Sequence, residues 1–330
     1  MKKIINAVEQ VESQMIEGML KAYPQYLKRV GDCNVVARAK KKEGKVALIS
    51  GGGSGHEPAH GGYVGDGMLD AAVAGAVFTS PAPDQIYEGI KEIATDQGVL
   101  MVIKNYTGDV MNFEMAADMA RDEGIKVEQV IVNDDVAVDG SLYTVGRRGV
   151  AGTVFVHKIA GAKAEKGASL EEVKATAQKV IDNVRTMGMA ISPCTLPAAG
   201  KPGFELGEDE MEIGIGIHGE PGTHREKLQS ADNIVDQLME KILADIDYAG
   251  SEVAVMINSC GGTPLMELFI VNNHVADILK GKGIKVYKTF VGEYMTSLEM
   301  EGFSISLLKL DNELKELLDA KADTPAFKSL

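Results

Sequence analysis

The sequence predicts an α/β protein of two α/β domains, each a central, mostly parallel or mixed sheet flanked by helices. Two observations predict the class. Short β-type runs alternate with amphipathic helical patterns in both halves, and a strand, helix, strand order implies parallel pairing. A third observation divides the chain: SPCTLPAAGKPG, over 192–203, breaks all periodicity. The boundary is placed beside it, giving an N-terminal domain over 1–188 and a C-terminal domain over 189–330. A chain of 330 residues that is 45% hydrophobic can bury one large core or two ordinary ones.

Taken in order, MKKIINAVEQVESQMIEGML has charges spread through an apolar periodicity, unlike a signal peptide. NVVARA (34–39), KVALIS (45–50), GVLMVI (98–103) and KVEQVIV (126–132) read as strands. Between them PDQIYEGIKEIA (83–94) and VMNFEMAADMARDEG (110–124) read as helices, the second stopped by glycine. Ser169 to Glu172 is a capping box that opens a helix running to about Met187. The second half repeats the theme: a strand MEIGIGI (211–217), a helix over 231–247, a strand EVAVMIN (252–258) and a helix over 264–280. Strands over 284–291 and 303–310 follow, then a charged helix and a short tail.

Charge narrows the function classes. With 34 Lys and Arg against 48 Asp and Glu, the net charge is −14, and no basic run favours nucleic acid or an anionic membrane surface. No apolar run approaches the length of a membrane span. Cys33, Cys194 and Cys260 lack paired spacing, so neither a disulfide frame nor a metal knuckle is implied, and a reducing cytoplasm fits. The expected partners are small molecules or proteins.

In open α/β sheets, ligands gather beyond the carboxyl ends of strands. Three strand ends carry glycine together with ionisable groups: SGGGSGHEP with His56, KNYTGD with Lys104 and Asp109, and HGEPGTH with His218. The first loop is no phosphate cradle. Gly51 to Gly55 is not followed by Gly-Lys-Ser/Thr, and His56 stands where the last glycine of a GxGxxG would fall. His218 reads either as a strand-end histidine bonded to backbone or as a neutral imidazole that adds to a carbonyl carbon. Asp109 can cap the following helix, act as a general base, or do both. Lys104, on pattern alone, more commonly reads as a solvated loop charge. His60 and His224 are candidates for supporting roles, and His157 and His274 read as structural. Arg147 and Arg148 in LYTVGRRGVAG fit an anion site or a salt-bridged face; Asn133-Asp134-Asp135 fits a cation site or, more commonly, an exposed turn. NSCGGTP (258–264) reads as site wall or structure, with Cys260 packing.

The residues alone point to a small-molecule enzyme using histidine and aspartate. GGGSGHEPAHGGYVGDGMLDAAVAGAVFTSPAP, KNYTGDVMNFEMA, NDDVAV, GRRGVAGTVFVHKIAGA and IGIGIHGEPG together resemble the dihydroxyacetone kinase family, in its substrate-binding K portion, over roughly residues 7 to 329. The resemblance implies two α/β domains, a homodimer, and dihydroxyacetone bound as a hemiaminal on His218. It implies substrate contacts at Gly53, Ser54, Gly55, His56, Lys104 and Asp109, with His56 and Asp109 as the base pair. It further implies phosphorylation to dihydroxyacetone phosphate with no cofactor or metal on this chain. ADP and magnesium are expected on a separate L subunit, recharged by an M subunit of the phosphotransferase system. The chain stops at Leu330, where single-chain relatives continue into a nucleotide-binding domain, and this favours the separate-subunit form. The alternative is a dihydroxyacetone-binding coactivator that works with a transcription regulator.

Overall fold

The computed structural model describes residues 2–139 and 144–329. Its strands, in chain order, are β1 (Leu27–Arg29), β2 (Val35–Arg38), β3 (Ala47–Ser54), β4 (Ala71–Val77), β5 (Val99–Lys104), β6 (Val127–Val132), β7 (Val184–Ala190), β8 (Glu210–Ile213), β9 (His224–Lys227), β10 (Glu252–Ser259), β11 (Lys285–Gly292), β12 (Gly302–Leu310), β13 (Ala322–Asp323) and β14 (Lys328–Ser329). The helices are α1 (Val11–Ala22), α2 (Pro83–Ile93), α3 (Thr107–Asp122), α4 (Thr153–Glu165), α5 (Leu170–Asn183), α6 (Ala231–Asp245), α7 (Leu265–Gly281) and α8 (Asn312–Asp319).

The first sheet has the order β1-β2-β4-β3-β5-β6, parallel from β4 to β6. The second has the order β11-β10-β12-β7-β8-β9 and is mixed, with only β10 and β11 parallel. Three apolar cores stack these parts into layers. One lies between α2, α3 and the outer face of the first sheet. Another lies between α6, α7 and the outer face of the second. The middle core joins α4, α5 and α8 to residues of both sheets, including Leu48 and Val130 on one side and Met256 and Leu308 on the other. The two sheets therefore share their inner helices, which fixes one half firmly against the other.

That sharing explains why α4 escapes a periodicity reading. TVFVHKIAGAKAE is buried on nearly every side, so it lacks the polar stripe that marks an amphipathic helix. Its Lys158 is buried and donates to the Leu317 carbonyl at 2.7 Å. Strand β4 is alanine-rich, a poor β signal, yet it sits centrally in the first sheet.

Two expected boundaries move. The capping box at Ser169 and Glu172 is present, but the helix it opens ends at Asn183 rather than near Met187, because Val184 is extended and starts β7 in the second sheet. The expected 188/189 cut consequently falls inside a strand. MEIGIGI is a strand only to Ile213. Gly214 turns to a φ of +77°, and the chain leaves the sheet before it reaches His218.

The paired acidic and basic motifs are internal braces. Asp134 is buried and accepts from Val150 N–H and Gly152 N–H at 2.8 Å each, at the start of α4, and is not an exposed turn. Asp135 is buried against Arg148 at 2.7 Å. Arg148 also donates to the Gly214 carbonyl at 2.7 Å, so this ion pair anchors the His218 loop to the first half of the chain. Arg147 makes a two-pronged pair with Asp245 at 2.6 and 2.9 Å. Leu142 and Tyr143 of the same motif lie outside the described residues. Among the described residues, no helix is long and apolar enough to cross a membrane.

Candidate active site

The pairing of β3 with β5 ends at Ser50 opposite Val102, while β3 runs on to Ser54 and β5 to Lys104. Two neighbouring parallel strands thus part at their carboxyl ends, the place where an α/β sheet opens a crevice. The glycines let β3 continue into it. Gly52 has a φ of +156°, and a Cβ there would lie 2.4 Å from Lys104 Nζ, so a side chain would displace the buried lysine.

His56 is fully buried, and its Nδ1 lies 2.8 Å from the Thr296 carbonyl. A carbonyl only accepts, so Nδ1 carries the proton and Nε2 presents the lone pair. Among the described residues that Nε2 has no hydrogen-bond partner. Burial first, then the neighbouring His218 and Lys104, hold the ring well below the ordinary imidazole range, which keeps it in the base form.

His218 follows the same logic with a different partner. Its Nδ1 lies 2.7 Å from Glu220 Oε1, and its backbone N–H donates to Glu220 Oε2 at 2.9 Å. In the neutral ring Nε2 then carries the lone pair. The ring is packed nearly edge-on against His56, Tyr106 and Phe78, with centroids 4.8, 4.6 and 5.2 Å away. Burial raises the Glu220 carboxyl, but His218 and Arg148 outweigh it and hold the group at about 2. An ionised carboxylate therefore fixes the tautomer of His218.

Lys104 and Asp109 form the floor. Lys104 Nζ lies 3.7 Å from Asp109 Oδ2 and 3.3 Å from His60 Nε2, and burial lowers its pKa against the pull of Asp109. Asp109 is the third residue of α3 and makes no cap for it; its Oδ1 accepts from Ser80 Oγ at 2.5 Å. Two imidazoles, a buried ammonium and a carboxylate thus converge from loops far apart in sequence. Such a set can add a nitrogen to a carbonyl carbon and accept a hydroxyl proton.

A Dak1 domain matches residues 17–326. The chain is 58% identical to the dihydroxyacetone-binding subunit of the PTS-dependent dihydroxyacetone kinase 1 of Listeria innocua, across 99% of this chain and 100% of that one. It belongs to the Dak1 family. Among solved structures it resembles the dihydroxyacetone kinase of C. freundii in complex with AMP-PNP and Mg2+, with a TM-score of 0.93 and 36% identity. That match takes in 99% of this chain but only 61% of that enzyme. It also resembles a dihydroxyacetone kinase operon co-activator, with a TM-score of 0.90, 37% identity and 98% of each chain covered.

Within this Dak1 chain the structure brings His56, Lys104, Asp109 and His218 together, and the other expected residues have contacts of their own. Ser54 Oγ is committed to the Gly75 carbonyl at 2.7 Å. Gly53 and Gly55 lie against the Phe78 turn, where a Cβ would collide at 2.7 Å or less. His60 stands behind the site, with Nδ1 3.0 Å from His157 Nε2. His157 is therefore linked to the site through His60 and Lys104. His224 lies on edge strand β9 beside Thr223, and His274 pairs with Asp236, both outside this cluster. Cys260 is buried with Cys194, Ile215 and Met300 in a small apolar cluster, and burial pushes its thiol up to about 12. A cavity of about 220 Å³ beside the loop is lined by Met15, Met19, Gly53, Glu57 and His60, but not by His56, Asp109 or His218.

The buried histidines set a pH limit on the fold. His56, His60 and His157 are each held neutral, chiefly by burial, with His157 lowered to about 3. The unfolded chain protonates them first, so their stabilisation is complete above about pH 6.5 and is lost as pH falls. Three such groups give a slope of roughly 4 kcal/mol per pH unit below about pH 5.5. Urea unfolding between pH 7 and 5 is expected to show it, with His157→Leu flattening the slope by about a third; a pH-independent midpoint contradicts the assignment.

Proposed function

We propose that the chain is the dihydroxyacetone-binding subunit of a dihydroxyacetone kinase, which holds the substrate as a hemiaminal on His218 and presents its terminal hydroxyl for phosphorylation to dihydroxyacetone phosphate. The supporting observation is the arrangement of His218: a lone pair on Nε2, a tautomer fixed by Glu220, and His56 and Lys104–Asp109 opposite. A carbon–nitrogen bond selects for a carbonyl, so glycerol is excluded by chemistry where size alone would discriminate poorly.

In this reading His56 Nε2 takes the hydrogen bond of the substrate hydroxyl, since among the described residues it is a buried acceptor at the crevice left without a partner. Asp109, already engaged by Ser80 and Lys104, orients that hydroxyl and balances the charge on His56 as the proton moves. The Gly53 to Gly55 turn supplies the wall. The N-terminal domain thereby contributes the base pair and the C-terminal domain the covalent histidine.

The phosphoryl donor is placed on a separate L subunit with ADP and magnesium, recharged through an M subunit of the phosphotransferase system. The Listeria relative is by name PTS-dependent and covers 99% of this chain, which supports that arrangement. A homodimer in the cytoplasm completes the reading. The likeness to an operon co-activator carries a second reading, binding without transfer. Capture needs only His218, whereas transfer needs a base, and the retention of both His56 and Asp109 favours the kinase.

The isolated chain is expected to give no heat on titration with ATP and magnesium and to form no product from ATP. With purified L and M subunits and phosphoenolpyruvate it is expected to produce dihydroxyacetone phosphate. Micromolar ATP binding, or product from ATP without a partner, overturns the subunit assignment. No product with all partners present, but intact dihydroxyacetone binding, turns the assignment to the co-activator.

A further inference from the structure

Glu220 is built into the site more firmly than an orienting hydrogen bond requires. It is 5% exposed, and both its oxygens serve His218, one at the ring and one at the backbone N–H. Behind it stands Arg148, itself fully buried. Gly216 separates the two: a Cβ there would lie 2.0 Å from Glu220 Oε2 and 2.7 Å from Arg148 Nη1, so only glycine lets guanidinium and carboxylate flank the turn together. Asp135 closes the chain on the far side of Arg148.

We propose that Glu220 makes His218 hold its substrate as a cation, so that capture takes up one proton from solvent. This rests on the reading that the substrate is a carbonyl bound through His218. Only the neutral ring has a lone pair to give. As Nε2 bonds to the carbonyl carbon, the π pair of C=O moves to oxygen, and the ring, substituted at Nε2 and still protonated at Nδ1, carries a positive charge. The negative oxygen takes a proton from water and becomes the hemiaminal hydroxyl. A neutral adduct beside an ionised Glu220, with no proton taken up, would require the Nδ1 proton to pass through Glu220 to that oxygen. That carboxylate is flanked by Arg148 as well as His218, and both favour its ionised form. The proton stays on Nδ1, and the adduct and Glu220 form an ion pair.

The other charged or titratable groups facing His218 are His56 and Tyr106 at ring contact, with Lys104 and Asp109 beyond them. A proton given to the oxygen by Lys104 or Tyr106 and not replaced would leave the count at zero. The cation has two consequences. An imidazolium leaves carbon more easily than a neutral imidazole, so capture stays reversible and product can depart. Its fixed positive charge also faces the phosphoryl group as that group arrives.

Calorimetric titration of the full chain with dihydroxyacetone at pH 8, in buffers of different ionisation heat, counts the protons. Labelled substrate, carbon-13 at the carbonyl, reports the adduct by NMR as a tetrahedral carbon. A tetrahedral signal with an uptake near one proton supports the proposal, and apparent affinity then falls about tenfold per unit rise in pH. Glu220→Gln keeps an acceptor for Nδ1–H but not the charge; it is expected to bind on the order of 10- to 100-fold more weakly and take up no proton. Glu220→Asp is expected to restore the uptake. A tetrahedral signal with zero uptake in the parent chain overturns the proposal and leaves the reading intact. No tetrahedral signal overturns the reading, and the proposal with it.

Discussion

His56→Asn and Asp109→Asn are each expected to lower kcat by about two orders of magnitude or more, with dihydroxyacetone still captured. That is the usual scale of a lost general base. At position 56 asparagine can still donate to the Thr296 carbonyl, so the ring's anchoring role is kept while the free acceptor at Nε2 disappears. At position 109 the amide can still accept from Ser80 Oγ, but the buried ammonium of Lys104 loses its counter-charge. The second variant should therefore show some loss of stability as well, and its kcat should be compared at saturating substrate. A parental turnover in either variant means that the residue is not part of the base. A raised KM with unchanged kcat assigns it to positioning alone.

His218→Asn is expected to have the larger effect on kcat/KM, on the order of 1,000-fold or more, because it removes the bond that turns a bimolecular encounter into a held reactant. Selectivity should collapse with it. Dihydroxyacetone and glycerol would then be separated only by shape and hydrogen bonding, and competition by glycerol, negligible in the parent, becomes measurable. The variant should fold. His218 keeps 18% side-chain exposure, and the loop around it is held by Arg148 through backbone carbonyls rather than by the imidazole. Undiminished preference for dihydroxyacetone in this variant would remove the covalent step from the account.

Much of the scaffold is legible in the sequence because local chemistry and global fold agree there. The capping box at Ser169, the proline start of α2 and the alternation of strands with amphipathic helices each mark an element where it occurs. The shared middle layer is not legible. Helix α4 is apolar all round because both sheets cover it, and a one-sided stripe is the only signal periodicity offers. MEIGIGI misleads for the opposite reason: the alternation continues past Ile213, but Gly214 adopts a conformation that ends the strand.

In the site, glycine loops with ionisable groups point to His56, Lys104, Asp109 and His218. Their orienters leave almost no such trace. Thr296 acts through a carbonyl, which any residue provides, and reaches His56 from 240 positions away. Glu220 stands two residues after His218, a spacing that pairs side chains only along a strand, and here the chain has left the sheet; the bend at Gly219, with a φ of +80°, brings its carboxylate back. Tyr106 and Phe78 look like core aromatics and are in fact the walls around the His218 ring. Asp134 and Asp135 resemble an exposed acidic turn because the sequence does not reveal that Arg148 and the start of α4 enclose them.

Lys104 is the rival to His218 as the covalent residue, since burial lowers its pKa and an amine with a lowered pKa can add to a carbonyl. Geometry argues against it. Its ammonium lies beneath Gly52 and is spent on His60 and Asp109, with no exposed surface, whereas His218 reaches the crevice. Soaking crystals of the chain with dihydroxyacetone distinguishes the two directly. Continuous density from Nε2 of His218 to a tetrahedral substrate carbon, with the terminal hydroxyl near His56 Nε2, is the predicted result; density joining the substrate to Lys104 Nζ, or an unbonded substrate, would contradict it.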